Sequence, residues 1–336
     1  MDSITHLALG ACMGEAFAGK SLGKKAMLWG AIAQSIPDID FISSFWMDTA
    51  SSLLAHRGFT HSFLFCAIIT PFFALIAEYF HRPHTIRFRQ WLLFFGVVIF
   101  THIFIDAFNN YGVGWWEPFS HQRISFNTIY VADPFFSIWP IVASVLLVFF
   151  KTKFSYRKKY WQLGLGLSAF YLMYCLFNKT KIDGEVKSIL KQQQVVYTRY
   201  FTSPAPLQNW LWYVVAGSDS GYHVGFRSLL DSEKKIHFQF FPRNDYLLKT
   251  TDGGEDLPKL IRFSQQFYTI EKSGDSLVFN DLRFGQVMGW QNPLGKFVFH
   301  YYLLHPADNR LVVQRGRLEG WNINNAQFFV KRILGH

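Results

Sequence analysis

The chain has 336 residues, of which half are hydrophobic, with a mean hydropathy of +0.10 and a formal charge of +10. That length admits two domains, and the near-neutral average joins an oily first half to an ordinary second half, which excludes a uniformly soluble protein. The basic excess does not mark a nucleic-acid binder, because its densest runs, Arg82 to Arg89 and Lys151 to Lys159, flank apolar segments and act as topology signals.

Along the chain, Met1-Asp2-Ser3-Ile4 offers no basic leader, and no small-residue cleavage site follows the first apolar run, so no removable signal peptide is expected. Thr5 to Gly19 is apolar but short. Ala26 to Phe45 is interrupted by Gln34, Pro37, Asp38 and Asp40. Ser62 to Phe80, Trp91 to Phe108, Pro134 to Phe150 and Trp161 to Phe177 approach the roughly 20 apolar residues of a spanning helix. The expectation is an α-helical multi-pass membrane domain of about five or six segments over residues 1–177. Cys12, Cys66 and Cys175 lie in apolar stretches without ligand spacing and read as packing residues.

Lysines and arginines retained in the cytoplasm orient these segments. Lys20, Lys24 and Lys25 form one basic connection, Arg82, Arg87 and Arg89 a second, and Lys151, Lys153, Arg157, Lys158 and Lys159 a third. The loops Trp46 to His61 and Asn109 to Asp133 then face outward, as does everything after Phe177. Glu117, Arg123 and Asp133 read first as solvated loop charges, the alternative being that they close over the site or contact a headgroup, with Asp133 also placed to cap a helix starting at Pro134.

From Asn178 short alternating runs take over: Val195 to Phe201, Trp210 to Val215, Ile236 to Phe241, Phe297 to Leu304 and Leu311 to Gln314. Turn signals separate them, at Gly217-Ser218-Asp219, Asp252-Gly253-Gly254 and Asn292-Pro293-Leu294-Gly295. A mainly β (α+β) extracytoplasmic domain over 178–336 is expected, with one helix around Leu257 to Thr269. There is no internal repeat.

The chemistry-bearing residues lie in the first third: His6, Asp38, Asp40, His56, His61, His102 and Asp106. Ionisable groups in apolar segments are costly, at roughly 2.5 to 3.5 kcal/mol on insertion scales, and persist with partners. His102 and Asp106 are four apart, about 40° around a helix, and both can reach one ion. Pro37 disrupts regular helix and aims the two following carboxylates. Gly58 suggests a turn that brings His56 and His61 together. By the orientation above, all seven fall on the outer side. Singly, each has a plain alternative: an interhelical His and Asp hydrogen bond, an acidic helix end, a solvated loop histidine. Together they suit one or two divalent ions, zinc first, with manganese or iron as alternatives. Arg57 is a candidate phosphate clamp, and Thr60 and Ser62 are candidate partners of the imidazoles.

At these residues the chain resembles the YdjM-type family of bacterial inner-membrane metal-dependent hydrolases, described as LexA-regulated. The resemblance rests on Thr5-His6, Pro37-Asp38-Ile39-Asp40, His56-Arg57-Gly58-Phe59-Thr60-His61-Ser62 and His102-Ile103-Phe104-Ile105-Asp106. It continues through Asn110-Tyr111-Gly112, Trp116-Glu117-Pro118-Phe119-Ser120 and Val131-Ala132-Asp133-Pro134, and covers roughly Met1 to Phe177. It implies a multi-pass protein of the bacterial cytoplasmic (inner) membrane, a divalent-metal site at those seven residues, and hydrolase activity. The arrangement is also loosely similar to zinc-dependent phospholipase C enzymes. The function expected is metal-dependent hydrolysis of a phosphoester lipid or envelope amphiphile at the extracytoplasmic face, with Arg57, His61 and Asp106 as catalytic residues. The alternative is a metal-ion or proton transporter using the same cluster, and a third reading makes the β domain a binder of an envelope partner. No nucleic acid is expected as a partner.

Overall fold

The computed structural model describes residues 1–81, 86–151, 155–250, 254–305, 308–309 and 320–336. The chain divides into two compact units, one of residues 1–43 with 55–175, the other of residues 44–54 with 176–336.

The first unit is helical. Helix α1 (Ser3–Leu22) starts at Asp2, whose side chain accepts from the Thr5 N–H, and ends at Gly23, whose positive φ of 58° suits a glycine. Helix α2 (Lys24–Ser35) stops short of Pro37, where the chain tightens into a 3₁₀ segment, Pro37–Phe45. After α3 (Thr49–Ala55) and a short 3₁₀ turn at Phe59–His61, Ser62 caps α4 (Phe63–Phe80). Helices α5 (Phe88–Asp106) and α6 (Pro134–Phe149) follow, the latter capped by Asp133 through the N–H groups of Phe135 and Phe136. Helix α7 (Arg157–Gln192) begins in this unit and continues into the second.

Among the described residues, α4 and α5 are long and apolar enough to cross a membrane, and α6 is a shorter apolar helix. A count of five or six spans therefore goes beyond what length and apolarity support. Helix α2 has only 12 residues. The core behind these helices is aromatic: Trp91, Phe94, Phe95, Val98, Ile99 and Ile103 of α5 pack with Ala26 and Ala33 of α2 and Ala74 and Ala77 of α4.

Glycines bring α1 and α2 together. A Cβ on Gly30 would lie 1.9 Å from the Gly10 carbonyl oxygen, and one on Gly14 would lie 2.0 Å from that of Ala26. Small residues at this four-residue spacing let two backbones touch.

The second unit is rich in sheet. Strands β1 (Arg199–Pro204), β2 (Leu211–Gly217), β3 (Gly221–Ser228) and β4 (Gln239–Pro242) form an antiparallel meander. Helix α8 (Asp256–Phe263) precedes β5 (Tyr268–Ser273), β6 (Ser276–Gln286) and β7 (Phe297–Tyr302), a second antiparallel sheet. Helix α9 (Ile323–Ile333) closes the chain. Strand β2 is buried along its length because both its faces are covered. Trp212, Val214 and Ala216 meet Ile182, Val186, Ile189 and Leu190 of α7, whereas Tyr213 and Val215 join Leu282 and Phe297 of the second sheet.

Several sequence expectations need correction here. The helix expected to end at Phe177 runs to Gln192, because Ile182, Val186, Ile189 and Leu190 recur at helical spacing and find a sheet to cover. The helix expected to reach Thr269 ends at Phe263, and Thr269 belongs to β5. Strands β3, β5 and β6 and helix α9 had not been anticipated. Arg82, Lys153, Asp252, Gly253 and the expected run Leu311 to Gln314 lie outside the described residues. Arg123 and Asp133 are buried, against their reading as solvated charges: Arg123 donates to the carbonyls of His56 and Gly112, and Asp133 accepts from the Tyr171 hydroxyl as well as capping α6. The three cysteines are free.

Candidate metal centre

Four side chains converge in the first unit. Asp38, His61, His102 and Asp106 each present one ligand atom, and all four atoms lie within 4.8 Å of one another. Asp38 comes from the 3₁₀ segment, His61 from the turn before α4, and His102 and Asp106 from adjacent turns of α5. His61 Nε2 is 3.6 Å from Asp38 Oδ1 and 3.5 Å from Asp106 Oδ2. His102 Nε2 is 3.5 Å from Asp38 Oδ1 and 3.8 Å from Asp106 Oδ2. His61, His102 and Asp106 are fully buried, and Asp38, at 23% exposure of its side chain, is the open side of the group.

The imidazoles are held from behind. His102 Nδ1 donates to the Gln34 main-chain carbonyl. His61 Nδ1 lies 3.3 Å from Asp40 Oδ2 and 3.1 Å from the Thr60 hydroxyl. A carbonyl oxygen only accepts, so the His102 proton sits on Nδ1 and its Nε2 lone pair points inward; a carboxylate behind His61 has the same effect there. The two Nε2 atoms then face each other at 3.2 Å. Two lone pairs so close, beside two carboxylates, call for a cation or a proton between them.

Asp38 and Asp40 part company because in a helix of three residues per turn positions two apart point about 120° away from each other. Asp40 sits outside the four-residue group: its Oδ1 accepts from His56 Nδ1 at 3.0 Å, and its Oδ2 accepts from the Arg57 N–H at 2.7 Å and the Thr60 hydroxyl at 3.0 Å. The two carboxylates thus bracket His61, one at each ring nitrogen. His56 is placed on Asp40 rather than among the converging atoms. His6 stacks on His102 with ring centroids 3.7 Å apart, its Nε2 3.1 Å from Asp106 Oδ1 and its Nδ1 3.3 Å from Gln34 Oε1. It borders the group through Asp106.

Arg57 is buried, and its Nε lies 3.0 Å from Asp106 Oδ2. Its other nitrogens donate to Asn109 Oδ1 and the Met1 carbonyl. In this position the guanidinium offsets the charge of Asp106 rather than presenting an open fork to a phosphate. The Met1 amino group also contacts Asp106 Oδ1. In the turn between His56 and His61 it is Arg57, not Gly58, that carries a positive φ (58°), and its N–H bond to Asp40 and side-chain contacts hold it there. Sequence reasoning missed Gln34, Asn109 and the orienting role of Asp40. Gln34 had a signal, as an amide in an apolar segment, but had been read only as an interruption.

The donor set of two imidazole nitrogens and two carboxylates, without thiolate, suits zinc, manganese or iron. The Asp106 Oδ2 atom is buried and makes no well-aligned hydrogen bond among the described residues, although it lies against His61, His102 and Arg57. Beside its ion pair with Arg57, an oxygen without an aligned donor at the focus of the group fits a bound cation.

A family model described as YdjM inner membrane protein matches residues 1–182. The inner membrane protein YbcI of Escherichia coli (strain K12) is 29% identical over 141 residues, 41% of this chain and 73% of that protein. The uncharacterized protein YfhP of Bacillus subtilis (strain 168) is 28% identical over 153 residues, 43% of this chain and 45% of that protein, so less than half of YfhP is spanned. No solved structure matches. The family match takes in α4, α5 and every residue of the His and Asp cluster, and extends over more than half of the chain, which belongs to the YdjM inner membrane protein family.

Proposed function

We propose that the protein is a multi-pass, divalent-metal-dependent hydrolase of the bacterial inner membrane, acting on a phosphoester lipid or envelope amphiphile at the extracytoplasmic face. The observation that carries this reading is the convergence of Asp38, His61, His102 and Asp106 with both imidazoles fixed from behind. A divalent ion there supplies Lewis acidity toward water and toward a phosphoryl oxygen. The chain's own residues do the rest. Gln34 and Asp40 keep the Nε2 atoms aimed inward, and Arg57 pairs with Asp106 beside them. Burial of three of the four groups excludes bulk water, and Asp38 marks the side from which water and substrate reach the centre.

The positive-inside pattern of the lysines and arginines supports the outward orientation, and the setting among apolar helices supports an amphiphilic substrate. Zinc is our first choice of ion, with one or two bound. The test is turnover of phospholipid and phosphodiester substrates by detergent-purified protein loaded with zinc, manganese or iron. Metal-dependent hydrolysis lost in His61→Ala and Asp106→Ala is expected. Full activity in either variant would sink the proposal, and metal uptake into liposomes without turnover would move the same residues to a transporter.

A further inference from the structure

The sequence offers histidines and aspartates enough for two ions, but the structure commits His6, Asp40 and His56 to other work. Among the described residues, Asp38, His61, His102 and Asp106 are the one set of three or more such groups whose ligand atoms converge. Paired catalytic ions sit about 3.5 to 4 Å apart, and ions so close share a carboxylate, one oxygen to each. A second ion would therefore need Asp106 as the bridge and His6, Asp40 or His56 as its further ligands.

The geometry closes each of these routes. Asp106 turns Oδ2 toward His61 and His102, at 3.5 and 3.8 Å, and its Oδ1 lies 3.1 Å from His6 Nε2. Two acceptors would repel at that distance, so the His6 ring donates there and keeps no lone pair on Nε2 for an ion. Its Nδ1 lies 3.3 Å from Gln34 Oε1, and the stack on His102, with centroids 3.7 Å apart, fixes the plane of the buried ring. Asp40 has both oxygens occupied, Oδ1 by His56 Nδ1 at 3.0 Å and Oδ2 by the Arg57 N–H at 2.7 Å and the Thr60 hydroxyl at 3.0 Å. It also lies on the Nδ1 side of His61, away from the converging atoms.

Charge points the same way. The buried Arg57 guanidinium lies 3.0 Å from Asp106 Oδ2, and the Met1 amino group contacts Oδ1. Positive charge already stands beside the carboxylate that a second ion would have to share, and a second divalent ion there would be repelled by it.

We infer that the centre holds one divalent ion, with Arg57 in the place of a second cation at Asp106 and His6 as a positioning residue that fixes Asp106 and the His102 ring. This rests on the metal-dependent reading above and narrows it to chemistry at a single ion.

The experiment uses the full chain purified in detergent and reconstituted with zinc or with manganese. Elemental mass spectrometry gives ions per chain, and electron paramagnetic resonance of the manganese form separates isolated ions from an exchange-coupled pair. Wild type is compared with His6→Ala and with His6→Gln, which keeps a donor toward Asp106, after circular dichroism melting has confirmed folding. One ion per chain and an uncoupled spectrum are expected in all three. In chelator competition His6→Ala should bind about 10- to 100-fold more weakly, with most of the loss recovered in His6→Gln. Two ions per chain, an exchange-coupled spectrum, or a fall from two ions to one in His6→Ala would overturn the inference and leave metal-dependent hydrolysis standing. Unchanged affinity in His6→Ala would overturn the role given to His6, and a wild type without any bound ion would overturn both readings. If His6→Ala does not fold, the wild-type stoichiometry and spectrum still decide the number of ions, and His6→Gln beside His6→Leu decides the role of the ring, with weaker binding expected in the second alone and equal binding in both counting against it.

Discussion

The Nε2 atoms of His61 and His102 face each other at 3.2 Å, each ring held at Nδ1 by an oxygen of the protein. Beside Asp38, and with Asp106 already paired to Arg57 and the Met1 amino group, the two facing lone pairs form a largely buried focus of acceptors. Such a focus is unfavourable without a counter-charge, because burial raises the cost of unpaired polar groups. Purified wild-type protein is therefore expected to carry zinc, manganese or iron in stoichiometric amount by elemental mass spectrometry, and His61→Ala and Asp106→Ala are expected to lose it. Full occupancy in both variants would show that the focus does not hold the ion.

Asp40 and Asp38 are two residues apart yet predicted to behave differently. Asp38 faces the converging Nε2 atoms, whereas Asp40 braces His61 at Nδ1 and binds His56, Thr60 and the Arg57 N–H. Removing an orienting carboxylate costs about 10- to 100-fold in metal affinity. Asp40→Asn should weaken binding by that amount in a chelator competition, and His56→Ala by less. If Asp40→Asn and Asp38→Asn were both silent while His61→Ala lost the metal, the bracketing of His61 would have no energetic content.

The α1 and α2 contact sets the distance between His6 and Gln34, which are hydrogen-bonded across it. Gly30 and Gly10 approach so closely that a methyl group at Gly30 would have to displace a main-chain carbonyl. Overpacking of this kind costs about 1 to 3 kcal/mol. Gly30→Ala should lower the melting temperature in detergent and weaken metal binding together, since Gln34 also anchors His102. Gly166→Ala is the control, because a Cβ there meets nothing within 4 Å. Equal melting of Gly30→Ala and Gly166→Ala would remove the glycines from the account.

Local pattern carries a good part of this architecture. The four-residue spacing of His102 and Asp106 already places both on one helix face, and Asp133 before Pro134 already reads as a cap. The role of Asp40 is not legible in the same way, because it depends on the chain choosing three residues per turn after Pro37, and propensity does not report that choice. Gln34 escapes for another reason: its main-chain carbonyl serves His102, and any residue type has one. The extension of α7 was present as Ile182, Val186, Ile189 and Leu190, but intervening charges such as Lys181, Asp183, Glu185 and Lys187 mask an apolar stripe when only the average is read.

Glu15 and Arg157 show why a count of basic residues misreads a buried one. Arg157 belongs to a run of topology signals, yet its guanidinium is buried and grips both oxygens of Glu15 at 2.7 Å while donating to the carbonyls of Leu147 and Phe150 near the end of α6. A two-pronged Arg–carboxylate pair of this kind ties the start of α7 and the end of α6 to α1. Removal of one partner from a buried pair leaves an uncompensated charge and costs about 3 to 5 kcal/mol, whereas replacing both by apolar groups is often close to neutral. Arg157→Met should therefore destabilise the protein strongly in denaturant titrations in detergent, and the double change Glu15→Leu with Arg157→Met should recover most of the loss. Additive effects of the two substitutions would mean that the groups act separately, and that Arg157 contributes through its carbonyl contacts to α6 alone.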